Sequence, residues 1–335
     1  MRVFLTGGTG LLGSHLAEHL VAEGHEVRAL VRPQSDVSFL EDLGVELVQG
    51  DVTDPIDRLK SLIVGCTHVV HGAALVYSGG GWEAVAEVNV RGAARVLSAA
   101  AAADVAKAVH ISSVAVYGND PEQPHDDELL RHDPGVGDDY ARSKREAERE
   151  VRRIEHETSL PITVVRPSAV YGERDRLMTP AVAGLLRLPL VPLFGHGNNT
   201  IPVVYAGNVA VAVRLTLESP GGGDTYDLGM DHPLTQRSLL ERQARGMGVR
   251  PRLVRLPGGL VGGGARFLTR IGIETPGAQH LPLDRVARLA LGENPYASRR
   301  AHDDLGWAPP HRHEDALERT GRWLVGRPDE PLENT

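Results

Sequence analysis

The sequence predicts an α/β fold: a parallel sheet wound on both faces by helices, with a smaller, partly interleaved C-terminal lobe. Three observations predict it. Short β-branched runs alternate with longer helical patterns through the first half of the 335 residues. A glycine-rich turn closes the first strand–helix junction. Beyond about residue 173 the pattern loosens into short pieces separated by Pro and Gly.

The elements follow in order. "RVFLT" (2–6) reads as a strand, and "LLGSHLAEHLVAEG" (11–24) as a helix stopped by glycine. "EVRALV" (26–31), "ELVQG" (46–50), "HVVHGAA" (68–74) and "KAVHISSVAVYG" (107–118) read as further strands. An alanine-rich helix (90–105) lies between the last two. A charged helix follows from about 138 to 156, and "PITVVRPSAVYG" (161–172) is a strand with its exit loop. This places a nucleotide-binding domain over 1–172 and a substrate-binding lobe over 173–335, with segments around 203–228 returning to the first domain. "PGGLVGGGARF" (257–267) is too rich in glycine to define a helix.

Composition limits the function classes. Hydrophobic residues make up 41 % and charged residues 24 %, with a net charge of −8, so no basic face for nucleic acid is expected. Cys66 is the one cysteine, which excludes an intrachain disulfide and a multi-cysteine zinc site. The 15 histidines are scattered, and no metal site is expected. No run reaches the ~18 apolar residues of a membrane span. "MRVFLTGGTG" lacks the pattern of a secretory signal, so a cytoplasmic location is expected.

"TGGTGLLGSHL" puts Gly7, Gly10 and Gly13 between the first strand and the first helix. There they allow a tight turn, close approach of backbone to a pyrophosphate, and close helix–strand packing. Thr9, Leu11 and Leu12 complete the expected phosphate loop, and the helix N-terminus offers unpaired N–H groups to the anion. At the end of the second strand, where NAD sites usually carry an acid, the chain has Val31 followed by Arg32. An arginine suits a ribose 2′-phosphate, so NADP(H) is favoured over NAD(H); the plainer alternative is a solvated loop residue. Asp51 reads either as an adenine-edge contact or as a turn-capping aspartate, and Val52 is expected beside it at the cofactor. In "DDYARSKREAE", Tyr140 and Lys144 lie four residues apart on one helix face. Alone they read first as a surface pair, and a phenol controlled by an ammonium is the alternative.

Together these pieces resemble the extended short-chain dehydrogenase/reductase family, from "TGGTGLLG" to "LGW" (305–307). The resemblance rests also on "HGAA" (71–74), "NVRG" (89–92), "ISSVAVYG" (111–118), the Tyr140/Lys144 pair and "RPSAVYG" (166–172). It implies a Rossmann-type domain in which Ser113 is the catalytic serine, Tyr140 the acid/base and Lys144 its helper. Asn89 would support the site, a helix N-cap being its other reading. Gly72, Ala73, Ala74 and Ser112 would line the cofactor, with Pro167 and Ser168 near the nicotinamide. Val76, Val114, Ala115, Val170 and Arg174 are the expected substrate contacts. The chemistry is coherent: a phenol of pKa ~10 donates to a forming alkoxide at neutral pH only with a nearby cation. A serine hydroxyl can meanwhile orient the carbonyl.

Departures select the branch. Related dehydratases carry Asp-Glu after the catalytic serine or threonine, where this chain has Val114 and Ala115. Related epimerases carry Arg-Asp where it has Ile201 and Pro202. "VRALVR" and "VYAGNVA" are closer to the dihydroflavonol reductase and 3β-hydroxysteroid dehydrogenase branch. The expectation is a ketoreductase or alcohol dehydrogenase for a non-nucleotide small molecule. The alternative is a nucleotide-sugar epimerase or 4-ketoreductase. A homodimer through the 90–105 and 138–156 helices is expected from the same resemblance. The stretch 119–139 holds eight acidic residues, which either discourage anionic substrates or form a solvated loop.

Overall fold

The computed structural model describes residues 1–76, 81–117, 139–257 and 293–327. The acidic stretch and the glycine-rich 257–267 segment therefore lie almost wholly outside the described residues. Two compact units form: residues 1–168, 206–229 and 296–308, and residues 169–205, 230–295 and 309–335.

The first unit is built on a seven-stranded sheet. Its strands are β1 (Arg2–Thr6), β2 (Glu26–Val31), β3 (Glu46–Gln49), β4 (His68–His71), β5 (Lys107–Ile111), β6 (Ile162–Pro167) and β10 (Thr225–Leu228). They run in the order β10-β6-β5-β4-β1-β2-β3, and every pairing is parallel. This is the Rossmann-type, doubly wound arrangement, and its order reverses between β1 and β4. The helices are α1 (Leu11–Ala22), α2 (Ser38–Asp42), α3 (Ile56–Ile63), α4 (Gly81–Ala86), α5 (Ala93–Ala102), α6 (Asp139–Thr158), α8 (Ala206–Glu218) and α10 (Arg299–Leu305). α1 packs with α8, while α3, α5 and α6 form the other layer. Phe4, Val69, Ala108 and Ile162 of the sheet are buried with Leu59, Leu97 and Val151 of that second layer. Near-continuous apolar strands are what a sheet covered on both faces requires.

The second unit holds two short parallel pairs, β7 (Ala169–Tyr171) with β9 (Val203–Tyr205) and β8 (Val191–Phe194) with β11 (Leu253–Leu256). Its helices are α7 (Met178–Leu186), α9 (Gln236–Met247) and α11 (His313–Leu324). Tyr171, Leu193, Tyr205, Leu239, Met247 and Leu317 belong to its core.

Three boundaries differ from the sequence reading. "KAVHISSVAVYG" is not one strand: β5 stops at Ile111 and Val114–Tyr117 forms a 3₁₀ turn. The turn begins where Ser113 Oγ accepts Ala115 N–H at 3.1 Å, a local bond that competes with a ladder. "PITVVRPSAVYG" divides into β6 and β7, which belong to different sheets. The alanine-rich helix is preceded by a π-helical turn over Glu87–Gly92, a form that periodicity does not reveal.

Candidate active site

β1 and β4 end side by side where the strand order reverses, and the glycine turn occupies that point. Gly7 has φ +78°, and a Cβ there would stand 2.7 Å from Ala73 N. A Cβ on Gly13 would stand 2.0 Å from Gly7 O, so α1 can start this close to the turn only without a side chain. Gly10 N–H donates to Gly7 O at 3.0 Å and closes the loop. Gly10 precedes α1 with no side-chain cap, and no acidic residue lies in the first turn of α1. Thr9, Leu11 and Leu12 are half-buried around it. Thr6 Oγ1 ties the two strand ends together, 2.9 Å from His71 Nδ1 and accepting Ala73 N–H at 3.2 Å. Gly72, Ala73 and Ala74 follow, all half-buried.

At the ends of β2 and β3 a pocket of about 280 Å³ is lined by residues that include Arg32, Gln34, Asp51 and Asp54. Arg32 is exposed. Asp51 Oδ1 accepts both Thr53 N–H (2.9 Å) and Thr53 Oγ1–H (2.8 Å), so it closes its own turn. Val52 is buried.

Tyr140 and Lys144 lie one turn apart at the start of α6. Lys144 Nζ donates to Ile111 O at 2.8 Å and sits 5.8 Å from the centre of the Tyr140 ring. Burial lowers the Lys144 ammonium to about 8, while the Glu148 carboxylate opposes that shift. Arg145 Nε donates to Val116 O. α6 is thus fastened to the backbone on both sides of Ser113. Ser113 Oγ is occupied as an acceptor by Ala115 N–H, which leaves its proton for a donor role.

Asn89 is buried inside the π-helical turn and caps nothing. Its Oδ1 accepts Leu75 N–H at 2.7 Å, and its Nδ2 donates to Leu75 O at 3.0 Å and Ser143 Oγ at 2.9 Å. Ser143 Oγ in turn donates to Tyr140 O at 2.8 Å. One amide therefore locks the segment after β4 to the first turn of α6.

The sequence reading missed a buried polar network behind these residues. Glu148 accepts Arg166 Nε at 2.9 Å, Arg166 Nη2 at 2.6 Å and the Ser112 hydroxyl. The Ser112 side chain is therefore directed inward. Arg166 Nη1 donates to Tyr117 Oη at 2.7 Å, and Tyr117 donates to Asp227 Oδ2 at 2.8 Å. Burial pushes the Tyr117 phenol far above its ordinary range. The available signal was Glu148 one turn beyond Lys144, together with a lone arginine inside "ITVVRP". His71 and His110 were missed too. They pair across β4 and β5, are both buried, and stack at 5.4 Å. Burial holds them neutral, His71 at about 3 and His110 well below its ordinary value.

Pro167 ends β6. Ser168 N–H donates to Leu228 O at 3.0 Å, and its Oγ is buried without a hydrogen-bond partner among the described residues. Val114 is buried, Ala115 half-buried and Val76 exposed. Val170 and Arg174 belong to the second unit, Val170 paired with Val204 and Arg174 at φ +69°. Among the described residues no group of three or more His, Cys, Asp or Glu could hold a metal ion. No described helix is long and apolar enough to cross a membrane.

The sequence model of the NAD dependent epimerase/dehydratase family matches residues 3–229. A 4-hydroxy-2-methyl-3-oxo-4-farnesyl-3,4-dihydroquinoline-1-oxide ketoreductase of Stigmatella aurantiaca is 28 % identical over 321 residues, covering 95 % of each chain. A 2-alkyl-3-oxoalkanoate reductase of Stenotrophomonas maltophilia is 30 % identical over 258 residues, 74 % of this chain and 76 % of the relative. The crystal structure of gox2253 superposes with a TM-score of 0.74 at 30 % identity, covering 97 % of this chain and 98 % of that one.

Proposed function

The chain belongs to the NAD-dependent epimerase/dehydratase family as an NAD(P)-dependent oxidoreductase of the extended short-chain type, and on that premise we propose a specific reaction. It is an NADP(H)-dependent ketoreductase for a non-nucleotide small molecule, with Tyr140 as general acid/base. The residues fit a dinucleotide. A side chain at Gly13 would strike Gly7 O, so only glycine lets the turn stand this close to the start of α1, and Ser168 Oγ is a buried hydroxyl with no hydrogen-bond partner among the described residues. The nicotinamide, when bound, supplies or accepts the hydride. Gly7, Gly10 and Gly13 with the α1 N-terminus would hold the pyrophosphate, and Ser168 would serve the nicotinamide end. Arg32 favours a 2′-phosphate.

The observation that carries the reading is Lys144: a buried cation, fixed to Ile111 O, one turn from Tyr140. Its charge favours the phenolate, so Tyr140 can give its proton to the forming alkoxide and regain it afterwards. Ser113 donates to the same oxygen and orients it. Val114 and Ala115 hold no proton-transferring group, which removes the means of eliminating water. The reductase names of the two relatives support the ketone substrate class. A homodimer through α5 and α6 and a cytoplasmic location complete the proposal; light scattering of purified protein tests the first.

The deciding experiment is turnover of NADPH and NADH against β-ketoacyl compounds, cyclic ketones and nucleotide sugars. NADPH consumption with a ketone is expected. A protein that retains its dinucleotide through purification and epimerises a nucleotide sugar without net cofactor consumption overturns the proposal.

A further inference from the structure

We propose that Arg58 is a second arm, opposite Arg32, of a site for a phosphate monoester, the 2′-phosphate of the bound dinucleotide. This rests on the NADP(H) reading above and adds a specificity residue to it. Arg32 follows β2 and Arg58 lies in α3, yet both line the one pocket at the ends of β2 and β3. Val31 and Gln49 are paired across those strands, which brings the two exits together. The Arg32 side chain has no hydrogen-bond or ion-pair partner among the described residues.

Arg58 differs, because it is held in place. Its Nε donates to Asp54 Oδ2 at 3.1 Å and its Nη2 to Gln49 O at 3.1 Å. Two of five N–H groups are used, and Nη1 carries no partner among the described residues. The side chain is 54 % exposed, so the remaining N–H groups can meet a ligand from solvent. A fork anchored on one edge loses little freedom when it binds a phosphate on the other.

The two carboxylates of the pocket oppose a dianion, but Asp54 is offset by its ion pair with Arg58 and Asp51 Oδ1 is turned to the donors of its own loop. Asp54 Oδ2 accepts Asp51 N–H at 2.9 Å as well as Arg58, and Asp51 Oδ1 takes both Thr53 donors. Gly50 makes the arrangement possible: a Cβ there would stand 2.9 Å from Asp54 Oδ2. The pocket therefore presents one anchored guanidinium and one unpaired guanidinium, the pattern that favours a doubly charged monoester over a ribose diol.

Dissociation constants for NADPH and NADH, measured by fluorescence titration on wild type, Arg58→Gln, Arg58→Lys and Arg32→Gln, test this. Arg58→Gln should weaken NADPH roughly three- to tenfold, the range of a partly exposed charge-assisted contact, and leave NADH within about twofold. Arg58→Lys, which keeps the charge but not the fork, should fall between and guards against a folding defect in the glutamine variant. An unchanged NADPH/NADH ratio in Arg58→Gln, or an equal loss for both cofactors, overturns the inference while a wild-type NADPH preference leaves the cofactor reading standing. A wild type that binds both cofactors alike overturns both.

Discussion

Glu148→Gln probes how α6 and β6 are held together. In the native protein the carboxylate takes two charge-assisted bonds from Arg166, at 2.9 and 2.6 Å, and both side chains are only 2 % exposed. The glutamine keeps one acceptor but removes the negative charge, leaving the Arg166 cation buried. Breaking a buried pair in this way typically costs about 3–5 kcal/mol. Tyr117 Oη, 2.7 Å from Arg166 Nη1, and the Asp227 carboxylate at 3.9 Å remain as partial compensation, so about 3 kcal/mol is expected. Urea denaturation of Glu148→Gln, Arg166→Met and the double variant measures it. The double variant should be clearly less destabilised than the sum of the singles, because no unpaired charge remains. Turnover gives a second readout. Glu148 opposes the burial that lowers Lys144, so its loss should move Lys144 further below about 8 and shift the alkaline limb of the pH–rate profile to lower pH. A loss under about 1 kcal/mol with an unmoved profile would refute the reasoning, since that is the worth of an exposed pair.

Other outcomes follow from single contacts. Gly13→Ala forces a Cβ to within 2.0 Å of Gly7 O, so the loop must shift; dinucleotide titration should show a loss of roughly tenfold or more in affinity. His71 titrates at about 3 in the fold against 6.5 unfolded, so the unfolded chain binds the extra proton as pH falls below 6.5. Stability is therefore retained above 6.5 and lost towards 3, by up to about 1.4 kcal/mol per pH unit for each buried histidine. Denaturation at pH 7.5 and pH 5 should show this, and His110→Val should flatten the difference. The Lys144 shift acts at the other end. Its folded value near 8 against 10.5 unfolded makes stability rise with pH between those values, a slope that Lys144→Met should remove.

Much of the first unit was legible because its signals are local. The glycines, the helical spacing of Leu11–Ala22 and the β-branched runs each depend on neighbours in sequence. The run 107–118 was overread because β-branched composition does not say where a strand leaves its sheet; Ser113, bonding to Ala115 N–H, decides that. Glu148, Arg166 and Tyr117 were invisible as a network because 18 and 49 residues separate Arg166 from its partners. Likewise, only the β4–β5 register brings His71 onto His110. Asn89 could be placed as cap or support, and a choice needed the backbone of Leu75, 14 residues away. The proposed roles of Ser113, Tyr140 and Lys144 rest on chemistry that the sequence carried in two separate segments.

The most direct measurement is NADPH turnover by Tyr140→Phe beside a dinucleotide titration of the same protein. Only a hydroxyl is removed, so cofactor affinity should stay within a few-fold of wild type, while ketone reduction falls by a factor of about 10² or more, the contribution of a positioned general acid. Reduction at the wild-type rate would show that the proton comes from another group and would contradict the account.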